Sequence, residues 1–181
     1  ALKLAIEKSL FLISLAIFPI AVGIISYSPF LMEFIPKYHK WEPAIISIMF
    51  FSLGTVLSSI STPLTNFLNA IGKVKVTLYF MVFWTVAIWF LTIPLINMYG
   101  YNGVAMASFL VSLTSVGVFY GAKKYVKFRV FGSIYKQFIA AVVMYMFGIL
   151  TSQMITSLLV MFLFSILSLI VYFAVIMLIA R

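Results

Sequence analysis

Six polar side chains recur at intervals of three or four residues along one mainly apolar stretch of the chain. At about 100° per residue, this spacing places them within a sector of a helix roughly 100° wide. Hydroxyl and amide groups bind polar ligands through hydrogen bonds, and leaving them unpaired in an apolar medium is costly. The stripe consists of Ser52, Thr55, Ser59, Thr62, Asn66 and Asn69.

Two interpretations of this polar stripe remain open. The side chains line a hydrophilic cavity that contacts a polar cargo, or they let neighbouring helices approach and form hydrogen bonds across the interface. We favour helix packing for Ser52, Thr55 and Ser59. We favour the cavity for Asn66 and Asn69, which lie near the end of the stretch.

Residues able to carry out enzymatic or metal chemistry are scarce in this chain. It contains no Cys and no Asp, its only acids are Glu7, Glu33 and Glu42, and its single histidine is His39. These residues form neither a nucleophile–base arrangement nor a metal-ligand cluster. We therefore predict no enzymatic activity, no metal and no cofactor. Glu33 and His39 are interpreted as surface groups of an outer connection.

The polar stripe belongs to a chain with the composition of an integral membrane protein. Hydrophobic residues make up 65% and charged residues 8% of the sequence, and the mean hydropathy is +1.24. Soluble domains are about half apolar and about a quarter charged. The net charge of +9 does not indicate nucleic-acid binding, because no polar fold presents it. The apolar runs predict an all-α bundle of six transmembrane helices at about 9–34, 44–70, 76–97, 103–121, 134–152 and 155–180.

Lysine and arginine are distributed unevenly between the two sides of this predicted bundle. Only Lys37 and Lys40 fall on one side, and the other ten basic residues fall on the opposite side. Short cytoplasmic loops carry the excess of basic residues, so we predict a multi-pass protein of the plasma or inner membrane with both termini in the cytoplasm. The ten are Lys3, Lys8, Lys73, Lys75, Lys123, Lys124, Lys127, Arg129, Lys136 and Arg181.

The basic loop that precedes the fifth predicted helix suggests contact with lipid headgroups. Its cations, interleaved with Phe128 and Phe131, are typical of an interfacial segment. Anchoring and orientation explain this loop, and capture of an anionic lipid-linked cargo is the alternative. The cations are Lys123, Lys124, Lys127, Arg129 and Lys136.

Three features of the other predicted helices bear on packing. Pro19 in the first helix frees a backbone carbonyl that a neighbouring helix must satisfy for the proline to be tolerated, and we expect a bend near Pro19. Gly103 and Ala107 form a small-xxx-small pair typical of close helix packing, on a helix that also carries Ser108, Ser112 and Ser115. Trp84 and Trp89 in the third helix suit either packing or stacking against sugars.

In this order and spacing, three stretches resemble the C-terminal half of polysaccharide flippases of the multidrug/oligosaccharidyl-lipid/polysaccharide exporter superfamily. Pro29–Tyr38, followed by Ala44, is similar to the family's helix end, turn and downstream alanine, with Ile35-Pro36 in place of Phe-Gly. Asn66–Lys75 is similar to its Leu-x-Ala-x-Gly-Lys-x-Lys turn, and Ile93–Ala107 to its Ile-Pro, Tyr-Gly, Gly-Ala-Ala signature.

The resemblance implies a transporter lobe that flips lipid-linked oligosaccharides from the inner to the outer leaflet by alternating access. It implies that residues 1–181 form a single six-helix lobe, the C-terminal part of a longer two-lobed protein. The implied partners are the bilayer, the lipid-linked saccharide cargo and the missing N-terminal lobe. A multidrug exporter lobe of the same superfamily and a non-transporting scaffold subunit remain as alternatives.

Overall fold

The chain is entirely helical in its regular structure across residues 2–126 and 128–180, which the computed structural model describes. Six helical stretches are long and apolar enough to cross a membrane, and one of them, Asn102–Lys123, consists of two consecutive helices. The predictions of an all-α fold and of six such stretches are therefore confirmed. The helices are α1 (Leu2–Phe34), α2 (Ile45–Ala70), α3 (Val74–Tyr99), α4 (Asn102–Leu113), α5 (Val116–Lys123), α6 (Val130–Thr151) and α7 (Leu158–Ala180), with 3-10 helices at Pro36–Ala44 and Ser152–Met154.

The helices pack as two groups of neighbours that meet along α1 and α2. Helix α1 packs on α6 and α7 in the first group, and α2 packs on α4, α5 and α3 in the second. The main core runs through this junction and includes Leu10, Leu64, Leu68 and Val118, all almost fully buried. Helix α3 lies at the edge, where Thr77 is its one fully buried residue among those described. An apolar edge helix of this kind suits contact with lipid.

The fourth predicted helix, 103–121, is interrupted at Thr114 and Ser115, which separate α4 from α5. The backbone N–H groups of Thr114 and Ser115 bond to carbonyls three residues back, which tightens the chain locally. The Thr114 hydroxyl also donates to the Val111 carbonyl at 2.6 Å. Side-chain hydroxyls that bond to backbone carbonyls compete with regular helix geometry. Apolar composition alone predicted one continuous helix here.

Helix α7 is joined to α1 by two tyrosine hydroxyls. Pro19 lacks a backbone N–H, so the carbonyl of Leu15 has no partner four residues later in α1. The Tyr172 hydroxyl donates to that carbonyl at 3.2 Å, as expected from the sequence. Further along α1, the Tyr27 hydroxyl donates to the Phe164 carbonyl at 3.0 Å.

Glycines mark the tightest points of the fold. Gly72 and Gly100 have φ values of +75° and +60° in the turns that follow α2 and α3, a region that side chains with a Cβ rarely adopt. Gly103 is buried, and an added Cβ there would clash with the carbonyl of Leu95. These positions agree with the predicted tight turns and close helix approach.

Contacts between loops place the basic segments at one end of the bundle. The backbone N–H of Arg129 donates to the Glu7 carboxylate at 3.0 Å, and the ammonium of Lys73 lies 5.3 Å from the Tyr125 ring centre. The N-terminal segment, the α2–α3 turn and the loop before α6 therefore share one end. This arrangement matches the distribution of charge in the sequence.

Candidate functional site

A groove lined by hydroxyl groups runs between α2, α3 and α4. It consists of two adjoining spaces of about 430 Å³ and about 610 Å³. Both spaces include Ser58 and Thr62 of α2 and Ser108 and Ser112 of α4, so they lie side by side. We call this space the hydroxyl groove. Its polar lining residues are Thr55, Ser58, Ser59, Ser61, Thr62, Thr65 and Asn66 of α2, Trp84 and Thr85 of α3, Ser108 and Ser112 of α4, and Ser115.

The α2 wall contains four of the six polar residues predicted from their spacing. Thr55, Thr62 and Asn66 are exposed on the surface of the chain, and Ser59 is half-buried. Ser61 and Thr65 of this wall are buried, whereas Thr55, Thr62 and Asn66 are left uncovered in a stretch apolar enough to cross a membrane.

The remaining two residues of the predicted stripe lie outside the lining of the groove. Ser52 is buried at 8% exposure, so packing explains its position. Asn69 is exposed in the last turn of α2, beyond the groove. Its assignment to the cargo path stays a prediction.

Five of the six hydroxyls of the α2 wall, all but that of Ser58, donate their protons within their own helix. Thr55 donates to the Phe51 carbonyl at 2.7 Å, and Thr62 to the Ser58 carbonyl at 2.9 Å. Ser59 does the same with the Val56 carbonyl at 2.8 Å. Each hydroxyl oxygen keeps its acceptor lone pairs, and the amide of Asn66 offers both donors and an acceptor. The α2 wall thus offers mainly hydrogen-bond acceptors to a ligand, and Asn66 can both donate and accept.

The opposite wall was only partly recognisable in the sequence. Ser108, Ser112 and Ser115 were assigned to close packing, yet all three contribute to the groove. Ser112 and Ser115 are also buried, at 5% exposure. They therefore pack between helices and line the groove as well. Thr85 was missed altogether, because the three threonines of α3, Thr77, Thr85 and Thr92, are too far apart to form a stripe with a period of three or four residues.

An apolar cleft of about 530 Å³ lies on the other side of α2. At about 100° per residue, Ile60 in this cleft is nearly opposite Ser58 and Thr62 in the groove. Ser112 and Ser115 border both spaces. The cleft is lined by Phe18, Val56, Leu57, Ile60, Ser112, Ser115, Val116, Phe119, Val130, Phe131, Ile134, Tyr135, Phe138 and Ile139.

The basic loop begins where this cleft meets the end of the bundle. Lys123, Lys124 and Arg129 are exposed, and Lys136 is half-buried with its ammonium 6.0 Å from the centre of the Tyr135 ring. Tyr135 itself lines the cleft. The remaining predicted anchor, Lys127, lies outside the described residues.

The acidic residues of the chain lie away from the groove. Glu33 and His39 are exposed at the end opposite the basic loops. Glu7, which had no assigned role, accepts the backbone N–H of Arg129 just before α6 begins, where a carboxylate is favoured by the helix dipole. Across residues 2–126 and 128–180, no three His, Cys, Asp or Glu side chains form a metal-binding group.

No family model, curated protein or solved structure matches this chain.

Proposed function

We propose that this chain is one lobe of a plasma- or inner-membrane transporter that flips lipid-linked oligosaccharides or polysaccharide precursors between leaflets. The observation that carries the proposal is the hydroxyl groove, whose α2 wall exposes Thr55, Thr62 and Asn66 within a stretch apolar enough to cross a membrane. Polar side chains facing hydrocarbon are costly, so such a wall belongs to a cavity. A second lobe packed against this face would close the cavity and allow alternating access.

The chemistry of the groove favours an uncharged polar cargo. Its polar lining consists of hydroxyls, one amide and an indole, with no acid or base among the lining residues. Hydroxyl-rich molecules such as saccharides match these groups as donors and acceptors. The absence of charge from the described lining weighs against ionic cargo in the groove itself.

The spaces on the two sides of α2 suit a cargo that has both a saccharide and a hydrocarbon part. Ser112 and Ser115 separate a hydroxyl-lined space from an apolar one. The basic residues near the cleft, such as Lys136, would attract the phosphate of a lipid carrier. With the basic end in the cytoplasm, as the positive-inside rule predicts, the cargo would enter from the inner leaflet.

Replacement of Asn66 by leucine tests the groove as the cargo path. In proteoliposomes holding a fluorescent lipid-linked oligosaccharide, Asn66→Leu should slow flipping by about threefold to tenfold, the worth of one lost hydrogen bond. Asn69→Leu tests separately whether the cargo path extends beyond the groove to the end of α2, as the sequence predicts. Asn97→Leu is the matched control, because Asn97 is exposed near the end of α3 and lies outside the groove.

Normal membrane insertion of all three variants is required for this comparison. Unchanged flipping by Asn66→Leu would remove the groove from the cargo path, and unchanged flipping by Asn69→Leu would exclude the last turn of α2 from it. Transport of drug-like cations in place of lipid-linked saccharides by the unmodified protein would instead identify a multidrug exporter.

A further inference from the structure

The two tryptophans of α3 occupy different environments although they are five residues apart. Trp89 is 69% exposed on the outer surface of the edge helix. Trp84 is half-buried and forms part of the hydroxyl groove together with Thr62, Asn66 and Ser108. Only Trp84 is therefore placed to contact a molecule in the groove.

The Trp84 ring is held in one orientation by contacts on the side of the α4–α5 interruption. Its indole N–H donates to the Thr114 hydroxyl oxygen at 3.0 Å, and that hydroxyl donates onward to the Val111 carbonyl at 2.6 Å. The Phe80 ring packs beside it with 5.9 Å between ring centres. The polar edge of the indole is thus already bonded, and its apolar surface remains for the groove.

We propose that Trp84 is the platform against which a sugar ring of the cargo stacks. This inference rests on the proposed transport of lipid-linked saccharides and names a residue that recognises the saccharide. A pyranose ring has an apolar C–H face and a rim of hydroxyls. The oriented aromatic surface of Trp84 matches the C–H face, and the hydroxyl and amide groups around it match the rim. Ligand sites commonly combine aromatic walls with a few polar groups in this way.

A hydrocarbon chain fits this position less well than a sugar. Next to a hydrocarbon chain, the acceptor oxygens of Thr62 and Ser108 and the amide of Asn66 would have no hydrogen-bond partner in the groove. The apolar cleft on the other side of α2 offers hydrocarbon a lining without that cost. The sugar part of an amphiphilic cargo is therefore assigned to the Trp84 side.

Intrinsic fluorescence isolates this contact because the chain has only three tryptophans. In the full-length protein, Trp41→Phe and Trp89→Phe, with any tryptophan elsewhere also replaced by Phe, leave Trp84 as the single emitter. Polyprenyl diphosphate carrying one N-acetylhexosamine should shift or quench its emission, and bare polyprenyl diphosphate should not. Equal responses to the two lipids, or no response to either, would overturn the stacking assignment.

Flipping kinetics provide a second measurement. Trp84→Ala should raise the KM for the lipid-linked saccharide by about tenfold, which corresponds to one aromatic contact. Trp84→Phe should recover most of that loss, and Trp89→Ala should leave KM unchanged. Unchanged KM in Trp84→Ala, with active flipping, refutes the platform and leaves the proposed function intact. An unmodified protein that flips no lipid-linked saccharide refutes the proposed function itself.

Discussion

At Gly103 the backbone of α4 lies directly against the end of α3, and only a hydrogen atom fits between Gly103 and the carbonyl of Leu95. Gly23 in α1 has no neighbouring atom within 4 Å of the position where a Cβ would be added. The same substitution should therefore have opposite effects at the two positions.

Gly103→Ala should destabilise the protein by about 1–3 kcal/mol or more, because the added methyl group forces the two helices apart. Gly23→Ala should stabilise it by about 0.5–1 kcal/mol, because alanine is the better helix former. Thermal unfolding in detergent measures both. Equal midpoints for the two variants would show that α3 and α4 do not meet as closely as described.

The spacing of polar residues along the sequence identified groove residues on α2 and did not identify those that face them from α3 and α4. Thr55, Ser59, Thr62 and Asn66 follow a helical period, so their common face was predictable from α2 alone. Trp84 and Ser108 come from other helices, and only the packing of α3 and α4 brings them to the same space. Ser52 shares the period but is covered by packing, which the period of one helix does not reveal.

At the scale of elements, the link between α1 and α7 depends on a proline in one and a tyrosine in the other. Tyr172→Phe removes the donor to the Leu15 carbonyl and should cost about 0.6 kcal/mol, the average measured for hydrogen bonds between membrane helices, for which the largest measured value is about 1.7 kcal/mol. In a Pro19→Ala background, the new alanine supplies its own backbone N–H to that carbonyl, so the cost should largely disappear.

A double-mutant cycle on Pro19 and Tyr172 measures this coupling through unfolding in detergent. Additive effects of the two substitutions would show that Tyr172 stabilises α7 by packing and not through the freed carbonyl. The prediction that a neighbour satisfies this carbonyl came from the sequence. The identity of the neighbour did not, because nothing in the local sequence pairs residues 157 positions apart.

Apolar composition predicted where helices lie more reliably than where they break. The run 103–121 contains no proline, and the signs of an interruption were the hydroxyls of Ser112, Thr114 and Ser115 and the nearby Gly117. The predicted start of the first helix, residue 9, was wrong because the charged residues before it were excluded from the helix. Helix α1 begins at Leu2. Its first turns carry Lys3, Glu7 and Lys8 beyond the apolar run, and Glu7 is used there to bond the N–H of Arg129.

At the scale of the whole molecule, the charge distribution predicts that the basic end faces the cytoplasm. The chain contains no cysteine, so a single introduced thiol reports its own location. On intact cells a membrane-impermeant maleimide should label Lys40→Cys and leave Lys73→Cys and Lys124→Cys unlabelled until the membrane is opened. Labelling of Lys73→Cys or Lys124→Cys on intact cells would invert the topology and the proposed direction of transport.

The proposed function requires the hydroxyl groove to be a water-accessible path within the bilayer, and the reactivity of an introduced thiol measures that access. In native membranes, a small polar methanethiosulfonate should react with Thr62→Cys many times faster than with Phe90→Cys. Thr62 lines the groove. Phe90 is the control, because it is 78% exposed on α3 and lies outside the groove. Excess lipid-linked oligosaccharide should slow the reaction at Thr62→Cys. Equally slow reaction at both positions would show that the groove is closed to water and cargo, which would contradict the account.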